Sequence, residues 1–128
     1  MHDDVIELLI TGRDRIARPN GWCKGGYRKG GAVCALGAIY SPGSDLDEFQ
    51  RTATEMAAAC LLADTLGWVS SGRRLASPAL GGVPSFNDHR STRKADVLAL
   101  YDAAIARRRE ETARDAGVAQ RSDLVTTE

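Results

Sequence analysis

The sequence has few aromatic residues, no excess of charge and no long apolar run, and each of these features excludes a class of protein. Only 5% of its 128 residues are Phe, Trp or Tyr, against 43% that are hydrophobic, many of them alanine. We therefore expect one domain whose core consists of close helix contacts around a few large side chains. No apolar segment approaches the ~20 residues that a membrane-spanning helix needs, so we expect no membrane partner.

The formal net charge is zero, because 17 Lys and Arg residues balance 17 Asp and Glu residues. This balance argues against a protein that coats DNA, which needs a positive excess. The charges are unevenly distributed, however, and predict two solvated surfaces of opposite sign. Acidic residues predominate from 45 to 64. A basic face for nucleic acid or an acidic partner is the functional alternative; its cations are Arg73, Arg74, Arg90, Arg93 and Lys94.

The cysteines are three in number, Cys23, Cys34 and Cys60, and lack the short spacing of structural zinc sites. The amino terminus has no basic leader of the kind found in secretory signals. We therefore predict a cytoplasmic protein with reduced thiols and with neither a metal nor another cofactor.

Apolar spacing predicts three substantial helices. The first runs from Asp4 to Ala17, is capped by Asp3 or Asp4, and ends at Arg18-Pro19-Asn20-Gly21. The second runs from Asp47 to Leu66, with a cap at Ser44, Asp45 or Asp47 and a stop at Gly67. Its predicted core face consists of Phe49, Ala53, Met56, Ala57, Cys60, Leu61 and Leu66.

The third helix is predicted to begin near Ser91 or Thr92. Its predicted buried stripe consists of Val97, Leu100, Tyr101, Ala104 and Ile105. The apolar pattern fails beyond about Asp115. We therefore predict a single helical domain over residues 1–115 and a disordered tail over 116–128.

Two smaller elements are predicted between the first and second helices. The glycine-rich stretch from Lys24 to Val33 indicates a short β-hairpin that turns near Lys29-Gly30. The apolar stretch from Cys34 to Tyr40 indicates a short helix. The expected fold is therefore mainly α, a small single-domain helical fold with three main helices, one short helix and a short β-hairpin. A long loop follows Trp68, with a helical turn around residues 73–76.

The sharpest catalytic hypothesis uses Cys34, His89 and Asp88. A thiol at a helix N-terminus can have a lowered pKa and act as a nucleophile, with His89 as its base and Asp88 or Asn87 orienting that base. The alternative is that Cys34 is a small buried hydrophobic residue and that His89 lies on the surface, which is the usual situation for a free cysteine.

Two further motifs have a structural and a functional interpretation. The glycines between residues 25 and 31 suit either a tight hairpin or an anion-binding loop, whose cations would be Lys24, Arg28 and Lys29. Asn87-Asp88 suits either the capping of the last helix, with Phe86 packed on it, or ligand contact. Trp22 and Trp68 are interpreted as side chains that anchor loops to the core, and the alternative is that one of them lines a pocket. The candidate binding residues are Trp22, Tyr27, Asn87, Asp88, Arg90 and Arg93.

The order of these motifs resembles a family of small actinobacterial and actinophage proteins, domain of unknown function 6197. The resemblance covers about residues 1–108, from Trp22 through Cys34-Ala35-Leu36-Gly37-Ala38 and Asn87-Asp88 to the helix beginning at Asp96. It implies a bacterial cytoplasm but no activity. The positions that the family pattern marks are Trp22, Cys34, Gly37, Asn87, Asp88 and Thr92. His89 stands where the family often has a small residue, which weakens its role as a required base.

Because every catalytic motif has a simpler structural explanation, we predict a non-enzymatic accessory or interaction protein, encoded by a bacterium or by its phage. Its partner is an unidentified macromolecule, a protein in preference to nucleic acid. The alternatives that stay open are a small cysteine-dependent hydrolase or transferase using Cys34 with His89, and a nucleic-acid-binding protein.

Overall fold

The computed structural model describes residues 3–40, 52–69 and 82–126, and side chains over 3–40, 52–67 and 82–115. In this part of the chain the elements are α1 (Asp4–Ala17), β1 (Arg28–Lys29), β2 (Ala32–Val33), α2 (Ala53–Val69), α3 (Gly82–Asp88) and α4 (Lys94–Thr126). The predicted fold class is confirmed: the protein is mainly helical, with a small antiparallel hairpin. No helix of the described part is long and apolar enough to cross a membrane.

Helix α1 begins and ends where its sequence predicts. The Asp3 carboxylate accepts hydrogen bonds from the backbone N–H groups of Val5 (2.9 Å) and Ile6 (3.2 Å), which satisfies two free amides of the first turn. After the helix, Asn20 has a positive φ of 56° and reverses the chain. Val5, Leu9, Gly12 and Ile16 form the buried face that packs against α2 and α4.

Helix α4 buries the predicted stripe, whose five residues are all at most 7% exposed. It begins at Lys94, two or three residues later than predicted. The delay has a local cause: Asp96 reaches back and accepts a hydrogen bond from the Arg93 N–H (2.8 Å), so that Arg93 is the cap. The backbone is helical to Thr126. The proposed division at residue 115 into a domain and a disordered tail stays a prediction.

Helix α2 differs from its prediction at both ends. It begins at Ala53, where Thr52 and Glu55 form a reciprocal capping box: each backbone N–H donates to the other's side chain, at 3.0 and 3.1 Å. The predicted caps at residues 44–47 lie outside the described residues. Gly67 does not end the helix, which continues to Val69.

The predicted core face of α2 was also wrong. The buried residues are Glu55, Ala58, Leu62, Thr65 and Leu66. Of the predicted face only Leu66 is buried; Cys60 is exposed and Met56 is 40% exposed, while Phe49 lies outside the described residues. Because nearly every position of this helix is apolar or small, its periodicity does not select a face, and the packing partners do.

The hairpin pairs Arg28 with Val33 and Lys29 with Ala32, turning at Gly30-Gly31 as predicted. Gly30 adopts a φ of 62°, which suits glycine in a two-residue turn. Trp22 forms a parallel bridge to Val33 on the other side of β2. The hairpin is therefore anchored to the segment that leaves α1.

The residues after Cys34 form consecutive turns in place of the predicted short helix. Donors from elsewhere in the fold occupy the carbonyls that a helix would use: Tyr101 donates to Ala35, Arg28 to Gly37 and Tyr40, and Arg15 to Ala38. The short helix of the described part is α3, which falls where the sequence predicted a loop. The turn predicted over residues 73–76 lies outside the described residues.

Candidate functional site

Asn87 is the centre of a hydrogen-bond cluster between the hairpin and the α3–α4 connection. Its side chain is fully buried at the end of α3. The amide oxygen accepts from Trp22 Nε1 (2.7 Å) and from the Ala35 N–H (2.9 Å), and the amide nitrogen donates to the Cys23 carbonyl (3.0 Å). One side chain therefore joins three separate parts of the chain.

Asp88 extends this connection at the surface. Its Oδ1 accepts from the Gly25 N–H (2.8 Å) and from the Asn87 amide nitrogen (3.1 Å). These two bonds lower the pKa of Asp88, helped by the nearby ammonium groups of Lys24 and Lys29. Lys24 Nζ donates to the His89 carbonyl (2.6 Å) and lies 5.4 Å from the centre of the Trp22 ring.

These contacts correct the capping interpretation of Asn87-Asp88. Both residues belong to the end of α3, and the helix that follows is capped by Arg93 with Asp96. Phe86 is half-buried and packs against the core. The sequence did not reveal the connecting role of Asn87, because its hydrogen-bond partners lie 52 to 65 residues away along the chain.

Cys34 is 5% exposed, and burial raises the pKa of its thiol. Its Sγ accepts a hydrogen bond from the Gly37 N–H at 3.3 Å. The exposed His89 ring instead contacts Ser91, with Nδ1 2.7 Å from the hydroxyl oxygen. In the described ranges no hydrogen bond joins Cys34 to His89, so the structure does not bring the catalytic pair of the alternative hypothesis together.

A cavity of about 170 Å³ lies beside this cluster. It is lined by Gly25, Gly26, Tyr27, Cys34, Pro84 and Asp88. Tyr27 is 52% exposed, with its ring edge-on to Tyr40 at a centroid distance of 5.8 Å. The cavity therefore has an aromatic rim, an ionised carboxylate and a thiol.

Of the three cations proposed for anion binding, Lys24 and Arg28 donate hydrogen bonds to backbone carbonyls of the fold. Arg28 donates to the carbonyls of Gly37 and Tyr40, and Lys24 to that of His89. Lys29, Arg90 and Arg93 are exposed. Lys94, not predicted to have a structural role, donates to the Ala17 and Arg18 carbonyls at the end of α1.

Other predicted site residues can be placed only in part. Arg73 and Arg74 lie outside the described residues, and nothing is described of the Trp68 side chain. Over the described ranges, no group of three His, Cys, Asp or Glu residues is arranged to hold a metal ion.

One protein-family model matches residues 1–107 of the chain. The chain belongs to this family, a family of unknown function (DUF6197). No curated protein and no solved structure matches the chain. Membership of DUF6197 confirms the resemblance of the motifs and assigns no activity.

Several of the residues on which the resemblance was based have structural roles. Trp22 and Asn87 are joined directly, and Gly37 lies so close to the Tyr27 carbonyl that only hydrogen fits there. Thr92 is 5% exposed, and its N–H donates to the His89 carbonyl at 3.0 Å. In this member of DUF6197 these residues join the hairpin region to α3, pack the turn after Cys34 against the hairpin, and close the α3–α4 connection.

The burial of the thiols predicts their order of reactivity. We expect iodoacetamide to modify the exposed Cys60 first and Cys34 at least about tenfold more slowly, because burial excludes the reagent and disfavours the thiolate. Peptide mass spectrometry after timed quenching measures the three rates. In urea the rates should converge. A Cys34 that reacts as fast as Cys60 in the folded protein would contradict its burial and revive the catalytic hypothesis.

Proposed function

We propose that this protein is a non-enzymatic accessory protein that binds another protein through one basic end of the fold. We define the basic end as residues 18–29 and 88–96. Three hydrogen-bonded connections join these two segments directly: Lys24 to His89, Gly25 to Asp88, and Lys94 to Arg18. The bond from Trp22 to Asn87 lies immediately beside them. The proposal places the protein in a bacterial cytoplasm, encoded by an actinobacterium or its phage.

The concentration of charge at the basic end is the observation that carries the proposal. These two segments contain seven Lys and Arg residues and two acidic residues, a formal net charge of +5 with His89 neutral. The whole chain has a net charge of zero, so the remainder carries −5. Arg18, Arg28, Lys29, Arg90 and Arg93 are exposed. A dipolar distribution of this kind attracts and orients an acidic partner.

The polar groups near the basic end favour binding over catalysis. Asn87 and Trp22 use their polar atoms to hold the hairpin, and Cys34 is enclosed. These contacts also make the hairpin a fixed platform, which lowers the entropic cost of binding.

A protein partner suits this surface better than nucleic acid does. Asp88 and Asp96 lie within the basic end, and the −5 charge of the remaining chain opposes a long polyphosphate. The half-exposed Tyr27 adds a side chain that is enriched in protein interfaces.

The test compares two charge reversals of equal size. Arg90→Glu with Arg93→Glu alters the basic end, whereas Arg109→Glu with Arg114→Glu alters exposed positions further along α4. The control loses only an exposed Arg114–Glu110 pair, which contributes little to stability. Each tagged protein is exposed to extract of the native host with and without nuclease treatment, and retained proteins are identified and their dissociation constants measured.

We expect the wild type and the control to retain the same partner and the basic-end variant to bind it at least about tenfold more weakly. Equal binding by both variants would contradict the basic end as the contact surface. Retention that disappears after nuclease treatment, together with salt-dependent binding to a DNA duplex, would assign the surface to nucleic acid.

A further inference from the structure

Cys23 and Cys34 lie opposite each other on neighbouring segments at the base of the hairpin. Trp22 bridges Val33 in parallel orientation: the Val33 N–H donates to the Gly21 carbonyl (2.8 Å) and the Cys23 N–H to the Val33 carbonyl (3.0 Å). Cys23 is the residue after Trp22 and Cys34 is the residue after Val33, so the two cysteines occupy the next pair of positions along the two bridged segments. Opposed residues of neighbouring strands are about 5 Å apart and share a face, within the Cα separation of about 4.4–6.8 Å that a disulfide requires.

Both sulfur atoms are also directed toward the same region. Cys23 Sγ donates to the Gly26 carbonyl at 3.7 Å, and Cys34 lines the 170 Å³ cavity together with Gly26. Proximity to Cys34 contributes to the raised pKa of Cys23, after the burial that is its main cause. The register of the bridge and the shared proximity to Gly26 therefore place the two thiols next to each other, in line with the electrostatic effect of Cys34 on Cys23.

We propose that Cys23 and Cys34 form a redox site that a hydroperoxide oxidises to an intramolecular disulfide. Cys23 is half-buried and Cys34 is buried, so Cys23 reacts first. Its thiolate attacks the peroxide, forms a sulfenic acid and releases water from hydrogen peroxide. The Cys34 sulfur then displaces the hydroxyl group, which leaves as a second water. The two thiols lose two electrons and two protons, and the peroxide gains them.

The disulfide would close a loop around the entire hairpin, residues 24–33. Because Tyr27 and the cations Lys24, Arg28 and Lys29 lie in this loop, oxidation would alter the surface of the basic end. The site itself does not rest on the proposed function, and its formation can be measured without a partner.

The experiment uses the full chain with Cys60→Ser, which removes the exposed thiol that would form intermolecular disulfides. The protein is treated with hydrogen peroxide, alkylated and digested without reduction. We expect a peptide pair linked through Cys23 and Cys34, a mass lower by two hydrogen atoms, and full reversal by dithiothreitol. Adding Cys23→Ser or Cys34→Ala should abolish the linked pair, and circular dichroism checks that each variant is folded.

A glutathione redox buffer then tests whether the fold brings the thiols together. We expect the equilibrium constant for the Cys23–Cys34 disulfide to be at least tenfold larger in the folded Cys60→Ser protein than in urea. An equal or smaller constant in the folded protein would overturn the proposal. So would two thiols that both stay free, or pass to sulfinic acid without a linked pair, under peroxide.

Discussion

Replacing Gly37 with alanine is expected to lower the free energy of unfolding by about 4 kcal/mol, at the upper end of single-substitution effects. A Cβ atom at this position would overlap the carbonyl oxygen of Tyr27 and lie 2.8 Å from its carbonyl carbon. Backbone atoms cannot give way as a flexible side chain does. The same Tyr27 carbonyl accepts from the Cys34 N–H (3.0 Å), so its displacement also breaks the base of the hairpin.

Gly31→Ala provides the matched control for this prediction. Gly31 lies in the same hairpin, and a Cβ there meets no atom within 4 Å. Its free energy of unfolding should stay within about 1 kcal/mol of the wild type. Urea denaturation followed by circular dichroism measures both variants. A Gly37→Ala protein as stable as Gly31→Ala would show that the turn after Cys34 does not approach Tyr27 closely.

Asn87→Ala is expected to have the second large effect, a loss of about 3–5 kcal/mol. The substitution leaves the Ala35 N–H, Trp22 Nε1 and the Cys23 carbonyl without the amide that satisfies them. Unsatisfied buried polar groups each cost about 1–3 kcal/mol. The loss should be cooperative, because the same side chain holds the hairpin, the turn after Cys34 and α3 together.

Two further variants separate the roles of this amide. Asn87→Asp keeps acceptor oxygens for Trp22 and Ala35 but replaces the donor with a buried carboxylate oxygen that faces the Cys23 carbonyl and Asp88 Oδ1, so it should be less stable than the wild type. Ser85→Ala, at an exposed position of the same helix, should change stability by less than about 0.5 kcal/mol. Thermal denaturation ranks all three. An Asn87→Ala protein that ranks with Ser85→Ala would refute the central role of the amide.

A double-mutant cycle with Trp22→Phe would isolate the bond between the Trp22 ring and Asn87. A coupling energy of about 0.5–3 kcal/mol is the range expected for contacting residues. Such a value would show directly that Trp22 and Asn87 act as one structural unit.

Local signals made α1 and the buried stripe of α4 predictable. Asp3 and the Pro19-Asn20 turn lie within a few residues of the helix ends they define, and the α4 stripe repeats at helical spacing over about two and a half turns. The start of α2 had a local signal as well, in the capping box from Thr52 to Glu55. The single apolar residue Phe49, which stands at helical spacing from Ala53, led the prediction to place the start further upstream.

The candidate site was predictable as a list of residues but not as an arrangement. Trp22, Asn87 and Asp88 stand out in the sequence, yet their partners lie 52 to 65 residues away. The basic end joins residues 18–29 to residues 88–96, and only half of it falls within the basic segment recognised in the sequence. Counting charges along the chain cannot join segments that the fold brings together.

The sequence alone therefore determined the helical class of the protein, the ends of α1 and the buried stripe of α4, because backbone capping and apolar periodicity act between near neighbours. The tertiary structure decided which face of α2 is buried, why the residues after Cys34 form turns, and that Asn87 is an internal connector. Each of these depends on donors, acceptors or surfaces that become neighbours only when distant segments pack together.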